Sequence, residues 1–194
     1  MAYFSLVDEA QRLLAKVIQE GDDVIDATVG NGHDTLFLAK TVGSTGRVLG
    51  FDVQAEAMEN ARRLLRQHNL HQRVMWVNQD HAHMGDWIPE TMQRRIKAVM
   101  FNLGYLPGGD KTFTTRSQST SLALNAALQH LVPGGAISIL AYRGHPGGKE
   151  EARVVDEWCS QLDGASYTVQ RIYSPTDSEK APLLFIAMRN VVTF

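Results

Sequence analysis

The stretch Val24-Ile25-Asp26-Ala27-Thr28-Val29-Gly30-Asn31-Gly32-His33-Asp34-Thr35 constrains this chain more than any other. An apolar run ends in a carboxylate, passes through two glycines and enters a segment of helical character. That order describes a buried strand, a tight turn and a helix, the unit at which open α/β sheets bind nucleotides. Glycine lets the backbone approach a ligand closely, and the free N–H groups of a helix start favour a negative ligand group. A dinucleotide fingerprint asks for a third glycine or alanine where Thr35 stands, and for no acid at Asp26. The turn therefore reads as a nucleoside site of another kind.

Helical and strand patterns alternate along the chain, with no low-complexity linker and no internal repeat. Ser5 and Asp8 form a capping-box pattern, and one apolar face through Leu6, Ala10, Leu13, Leu14, Val17 and Ile18 predicts a helix that stops at Gly21. Further helices are expected over 34–42, 56–68, 117–131 and 150–162, with a short one between 85 and 95. Strands are expected over 24–27, 47–52, 74–78, 98–102, 136–141, 167–173 and 183–188, the last two as a hairpin. Five β/α units followed by a hairpin describe one Rossmann-like α/β domain over residues 1–194. Its seven-stranded sheet is mostly parallel, with one antiparallel strand at or near an edge and helices on both faces.

A content of 44% apolar and 21% charged residues in 194 suits one soluble globular domain. No apolar run approaches the ~20 residues of a membrane helix, and the N-terminus lacks a secretory pattern. The one cysteine, Cys159, suits a reducing cytoplasm. A formal charge of −2 excludes a global electrostatic case for nucleic acid. An RNA partner would need a local patch, with candidates at Arg94, Arg95 and Lys97, at Lys111 and Arg116, and at Arg143, Lys149 and Arg153. His81 and His83 lack companions of metal-ligand spacing, so no metal is expected.

Ligands of such sheets gather at the strands' C-terminal ends, where Asp26, Gly30, Asp52, Asp80 and Asn102 all fall. Asp52, twenty residues beyond Gly32, suits ribose hydroxyls. Asp80, with His81 beside it, suits an exocyclic amino group. A carboxylate at Asp26 would repel a pyrophosphate but favour a cation. That preference selects S-adenosylmethionine, with its sulfonium, over a dinucleotide. Asn102 can accept hydrogen bonds from a substrate amine and aim its lone pair, while Tyr105 can stack on a base. The glycine-rich segment Tyr142-Arg143-Gly144-His145-Pro146-Gly147-Gly148 lies on the same rim, as a wall for the substrate.

With Asp26–Thr35, Asn102-Leu103-Gly104-Tyr105-Leu106-Pro107-Gly108-Gly109-Asp110 and Tyr142–Gly148 in view, the chain resembles class I S-adenosylmethionine-dependent methyltransferases. More narrowly, it resembles the bacterial rRNA-methylase family, linked to the conversion of 5-aminomethyl-2-thiouridine to its methylamino form at the tRNA wobble position. The resemblance covers nearly the whole chain. It implies that Gly30, Asn31, Gly32, His33 and Asp34, with Asp26, surround the methionine part of the cofactor. Asp52 would hold the ribose, Val53 and Gln54 would flank the adenine, and Asp80 and His81 would meet its edge. Asn102 and Tyr105 would serve the chemistry. Leu103, Tyr105, Pro107, Gly108, Tyr142, Arg143 and His145 would face the substrate. Related amino methyltransferases carry two prolines where this chain has Leu103-Gly104, a change that suits a flexible aminomethyl group. The resemblance also implies a tRNA anticodon loop as partner, and homodimers. Methylation of rRNA or of a free small amine remains the alternative, with an NAD-dependent oxidoreductase and a non-catalytic RNA-binding module as rivals from other classes.

Overall fold

The computed structural model describes residues 5–106, 108, 114–176 and 178–191. Seven strands form one sheet: β1 (Asp23–Asp26), β2 (Arg47–Phe51), β3 (Val74–Val77), β4 (Ile96–Leu103), β5 (Leu131–Ala141), β6 (Tyr167–Tyr173) and β7 (Leu183–Arg189). Their order is β3-β2-β1-β4-β5-β7-β6, and only β7 runs against its neighbours. The antiparallel strand thus lies one place in from the edge. A hairpin whose second strand slots beside β5 makes that order obligatory.

Side chains alternate across the sheet and feed two apolar layers. Ile25, Leu49, Val99 and Phe101 point to the face covered by α4 (Met84–Trp87), α5 (Ser117–His130) and α6 (Gly148–Gln161). Val24, Val48, Ala98 and Met100 point to the face covered by α1 (Leu6–Leu14), α2 (His33–Thr41) and α3 (Ala55–Gln67). Both faces are covered, so β1 is buried throughout, including its terminal Asp23 and Asp26. Asp23 is matched by Arg47, whose Nε and Nη2 donate to its two oxygens at 2.9 and 3.0 Å. No helix among the described residues is long and apolar enough to cross a membrane.

Three boundaries differ most from the pattern in the sequence. The first helix ends at Leu14, because its last turn tightens: Lys16 and Val17 N–H donate three residues back, to Leu13 and Leu14. Ile18 remains buried although it lies past the helix. The short helix expected between 85 and 95 lies at the start of that stretch, as α4, between single 3-10 turns at His81–His83 and Glu90–Met92. Pro89 drives Ile88 to an extended ψ of 114° and ends it. Finally, β5 begins at Leu131, upstream of Pro133-Gly134-Gly135. These residues form a bulge in the β4–β5 ladder, where pairing jumps from Ile96 with Leu131 to Ala98 with Ala136.

Candidate active site

The sheet order reverses between β1 and β4, and this crevice receives the loops that follow both strands. Gly30 and Gly32 adopt φ of +52° and +83°. A Cβ on Gly32 would lie 2.7 Å from the Ala61 methyl carbon, so only glycine lets the turn settle against α3. A Cβ on Gly30 would meet Leu106 at 3.3 Å, which puts the loop after β4 directly over the first turn. Asn31 lies half-buried between the two glycines and His33 is exposed at the start of α2.

Strand alternation sends Asp26, Asn102 and Tyr142 toward the α1–α2 side. There Asp26 is fully buried, accepting from Thr28 N–H at 3.1 Å and from Thr35 Oγ1–H at 2.6 Å. Burial and the neighbouring Asp34 charge push its carboxyl up to about 7. Asp34 accepts from Gln11 Nε2 of α1 at 2.6 Å and from the Asn102 side-chain amide. Burial raises its pKa too, and those two amide bonds oppose the rise. The Asn102 backbone N–H donates to Thr28 Oγ1 at 2.7 Å, so β4 and the first turn are tied twice. With Nδ2 committed to Asp34, the Asn102 amide is fixed in one sense, and Oδ1 is its acceptor end.

Asp52 follows β2. Its Oδ2 accepts from Gly30 N–H at 2.8 Å and its Oδ1 from Gln54 N–H at 2.9 Å. Burial raises its pKa against those bonds. A carboxylate offers about four acceptor positions, more than its backbone donors fill, so capacity is left for a ligand. Val53 is exposed beside it, and Gln54 caps α3. Asp80 accepts from Ala82 N–H at 2.8 Å to begin the turn that carries His81. The His81 ring is buried, with Nδ1 3.1 Å from the Ala27 carbonyl. Burial lowers its pKa, so the ring is neutral, and a carbonyl partner assigns the proton to Nδ1. Nε2 is then a bare acceptor without a hydrogen-bond partner among the described residues, 3.9 Å from Asp80 Oδ1.

Two loops rise on the far side of the crevice. After β4, Tyr105 is exposed and bridges to Thr114, and its ring meets His145 edge-on at 5.9 Å. After β5, Tyr142 N–H donates to the Leu103 carbonyl at 3.0 Å, and the Tyr142 ring lies over Gly104. Burial, helped by the Asp34 charge, raises the Tyr142 phenol pKa. His145 Nδ1 lies 3.3 Å from Thr114 Oγ1. Leu103 departs from expectation. Alternation turns its side chain into the core beside Phe101 and Ala141, so only its backbone can serve the wall. Gly108 is exposed, with φ +80°, while Pro107 lies outside the described residues.

The basic cluster is less free than its letters suggest. Arg143 Nε donates to the Ala181 carbonyl at 2.6 Å, Lys149 pairs with Glu179 at 2.6 Å, and Arg153 pairs with Glu150 and Glu157. Arg143 separates two shallow clefts of about 290 and 280 Å³, one along α6 and one along the β6–β7 connection. Four participants carried no signal of their own in the sequence. Gln11 and Thr28 meet Asp34 and Asn102 only through tertiary contact, whereas Thr115 and Thr120 bond to a buried Glu151.

The family model described as "Putative rRNA methylase" matches residues 48–188, well over half of the chain. The chain belongs to this family. Among solved structures, a protein from Clostridium thermocellum described as "putative rRNA-methylase" has 38% identity and a TM-score of 0.90, covering 97% of this chain and 100% of that one. A Streptococcus mutans protein described as "a putative methyltransferase", solved in complex with SAH, has 29% identity and a TM-score of 0.84 over 97% of this chain and 99% of its own. A tRNA (mnm5s2U34)-methyltransferase of Arabidopsis thaliana, chloroplastic, is 46% identical over 155 residues, 76% of this chain and 56% of that protein. The chain thus spans little more than half the length of that plant relative. This rRNA-methylase family member has the class I methyltransferase fold, whose cofactor is S-adenosylmethionine. The crevice fits that cofactor: a glycine cradle with no room for a Cβ, an acceptor-rich Asp52, and the orphaned His81 Nε2.

Proposed function

We propose that the chain methylates the amino nitrogen of 5-aminomethyl-2-thiouridine at the wobble position of tRNA. The observation that carries an amine acceptor is the Asn102 amide, latched by Asp34 so that an oxygen is the end left for substrate. The choice of nucleoside is supported by the likeness to the plant wobble-uridine enzyme.

When bound, S-adenosylmethionine supplies an electrophilic methyl group on a sulfonium. Asp52 would accept from the ribose hydroxyls with the lone pairs that Gly30 and Gln54 leave unused, beside Val53. Asp80 and the bare His81 Nε2 suit an exocyclic amino group. The carboxyls of Asp26 and Asp34, near the turn formed by Gly30, Asn31, Gly32 and His33, favour a cation there. Asn102 Oδ1 accepts one amine N–H and points the nitrogen lone pair, while Tyr105, Tyr142, Arg143 and His145 wall the nucleoside. As the N–C bond forms, the S–C bond breaks and the extra proton on nitrogen passes to solvent. Burial beside a cation lowers the amine's pKa, so no strong base is needed. Positioning and desolvation supply most of the acceleration.

Nucleoside mass spectrometry of tRNA from cells with and without the protein tests the assignment, joined to transfer assays on two variants. The expected result is loss of the methylamino nucleoside and accumulation of the aminomethyl form. Asp52→Ala should abolish SAH binding by calorimetry. Asn102→Ala should keep it and slow transfer about a hundredfold. Unchanged tRNA nucleosides, with transfer to a free amine in a metabolite extract, would assign a small-molecule substrate instead.

A further inference from the structure

Glu151 is a buried carboxylate, only 2% exposed, in the first turn of α6, on the opposite side of the sheet from Asp26 and Asp34. Burying a charge is costly unless it is paired or well hydrogen-bonded. Two hydroxyls meet this one, Thr115 Oγ1–H at 2.7 Å and Thr120 Oγ1–H at 2.6 Å, both short, charge-assisted bonds. Neither lies on its own helix. Thr120 belongs to α5 and Thr115 to the segment entering it. Thr115 N–H in turn donates to the Gly104 carbonyl at 3.0 Å, and Thr114 Oγ1–H donates to the same oxygen at 3.1 Å. Thr114 also bridges Tyr105 and reaches His145 Nδ1. On its own side, Glu151 N–H donates to the Gly147 carbonyl at 2.9 Å, fixing the end of the Tyr142–Gly147 loop.

We propose that Glu151 is a positioning residue that joins the two walls of the acceptor cleft, holding Gly104–Tyr105 through Thr115 against the loop that carries Tyr142 and His145. The carboxylate touches neither wall's exposed rings. It fixes the backbone from which both project, and a displacement of about 1 Å there costs on the order of a hundredfold in rate. The inference rests on the reading that these loops enclose the acceptor.

Amide exchange by NMR and transfer kinetics test it together on Glu151→Ala, Glu151→Gln and Thr115→Val, with exposed Glu150→Ala as a control. In Glu151→Ala, the Thr115 amide should exchange at least about tenfold faster. SAH affinity should stay within about twofold, and kcat on tRNA should fall roughly 30- to 100-fold. Thr115→Val, which deletes the hydroxyl and keeps the shape, should reproduce that pattern. Glu151→Gln retains an acceptor and should recover kcat to within about threefold of the parent. Unaltered Thr115 exchange in Glu151→Ala and Thr115→Val overturns the clamp, as does unaltered kcat despite faster exchange. Parallel loss of SAH affinity and folding in both variants, without recovery in Glu151→Gln, would make Glu151 a general stabiliser only. A parent protein that transfers nothing to tRNA defeats the tRNA assignment, while the exchange data still decide the clamp.

Discussion

Asp26 shows how one residue can serve a site without touching solvent. Both its oxygens are engaged by Thr28 and Thr35, so its side chain ties the turn together. Its carboxyl rises from an ordinary 3.8 to about 7, first by burial and then by Asp34. In the unfolded chain it ionises near the ordinary value, so between those limits folding takes up a proton. Stability from this group is fully present below pH 4 and is lost as pH climbs through 7. The slope is roughly 1.4 kcal/mol per pH unit within the window. Urea denaturation of the cofactor-free protein from pH 5 to 8 should therefore show falling stability, and Asp26→Asn should flatten the fall. A slope identical in the variant would assign the pH dependence to other groups. Asp26 announces itself in the sequence because it breaks the dinucleotide pattern. Its partner Thr35 stood out only as a missing glycine, because a hydroxyl's role depends on what lies opposite.

At the scale of elements, the β1–α2 turn is set by geometry that the letters Gly-Asn-Gly already imply. Gly32 has both a left-handed backbone and a neighbour in the way, since an added Cβ falls 2.7 Å from that of Ala61. Gly147, the cap of α6, has a similar φ of +82° but open space around it. Gly147→Ala should then cost about 1 kcal/mol, the conformational term alone. Gly32→Ala should cost roughly 2–4 kcal/mol and weaken SAH binding as α3 is pushed aside. Chemical denaturation of the two variants compares these values directly; equal losses would mean that the α2–α3 approach carries no energy. The approach of α3 to the turn is absent from any local pattern. Breaks such as Pro89 are visible as letters, yet which short helices survive around them depends on the packing of Met84 and Met92 into the core.

For the whole molecule, the charge is −2, and the basic cluster at Arg143, Lys149 and Arg153 is largely matched, so this rim offers few cations to phosphates. For the proposed tRNA substrate, recognition should rest on one extruded base, already unpaired in an anticodon loop, more than on the backbone. Plots of log affinity for tRNA against log salt should have a slope of only about −2 to −3. An anticodon stem-loop should bind within about threefold of the full tRNA. A much steeper slope, by filter binding or anisotropy, would point to an extended phosphate-binding face.

The sequence by itself determined the α/β class, the seven strands, the carboxylates and glycines at strand ends, and the family. Those features are local: periodicity, turn residues and strand-end acids act over a few positions and survive as patterns of letters. Only the tertiary structure decided that Asn102 faces Asp34 while Leu103 faces the core, since one step along a strand reverses the side chain's face. It likewise brought Gln11 of α1 to Asp34, and Glu151 of α6 to Thr115 and Thr120. Hydrogen bonds between residues 23 to 68 positions apart depend on how helices cross the sheet, and no short window of sequence encodes that crossing.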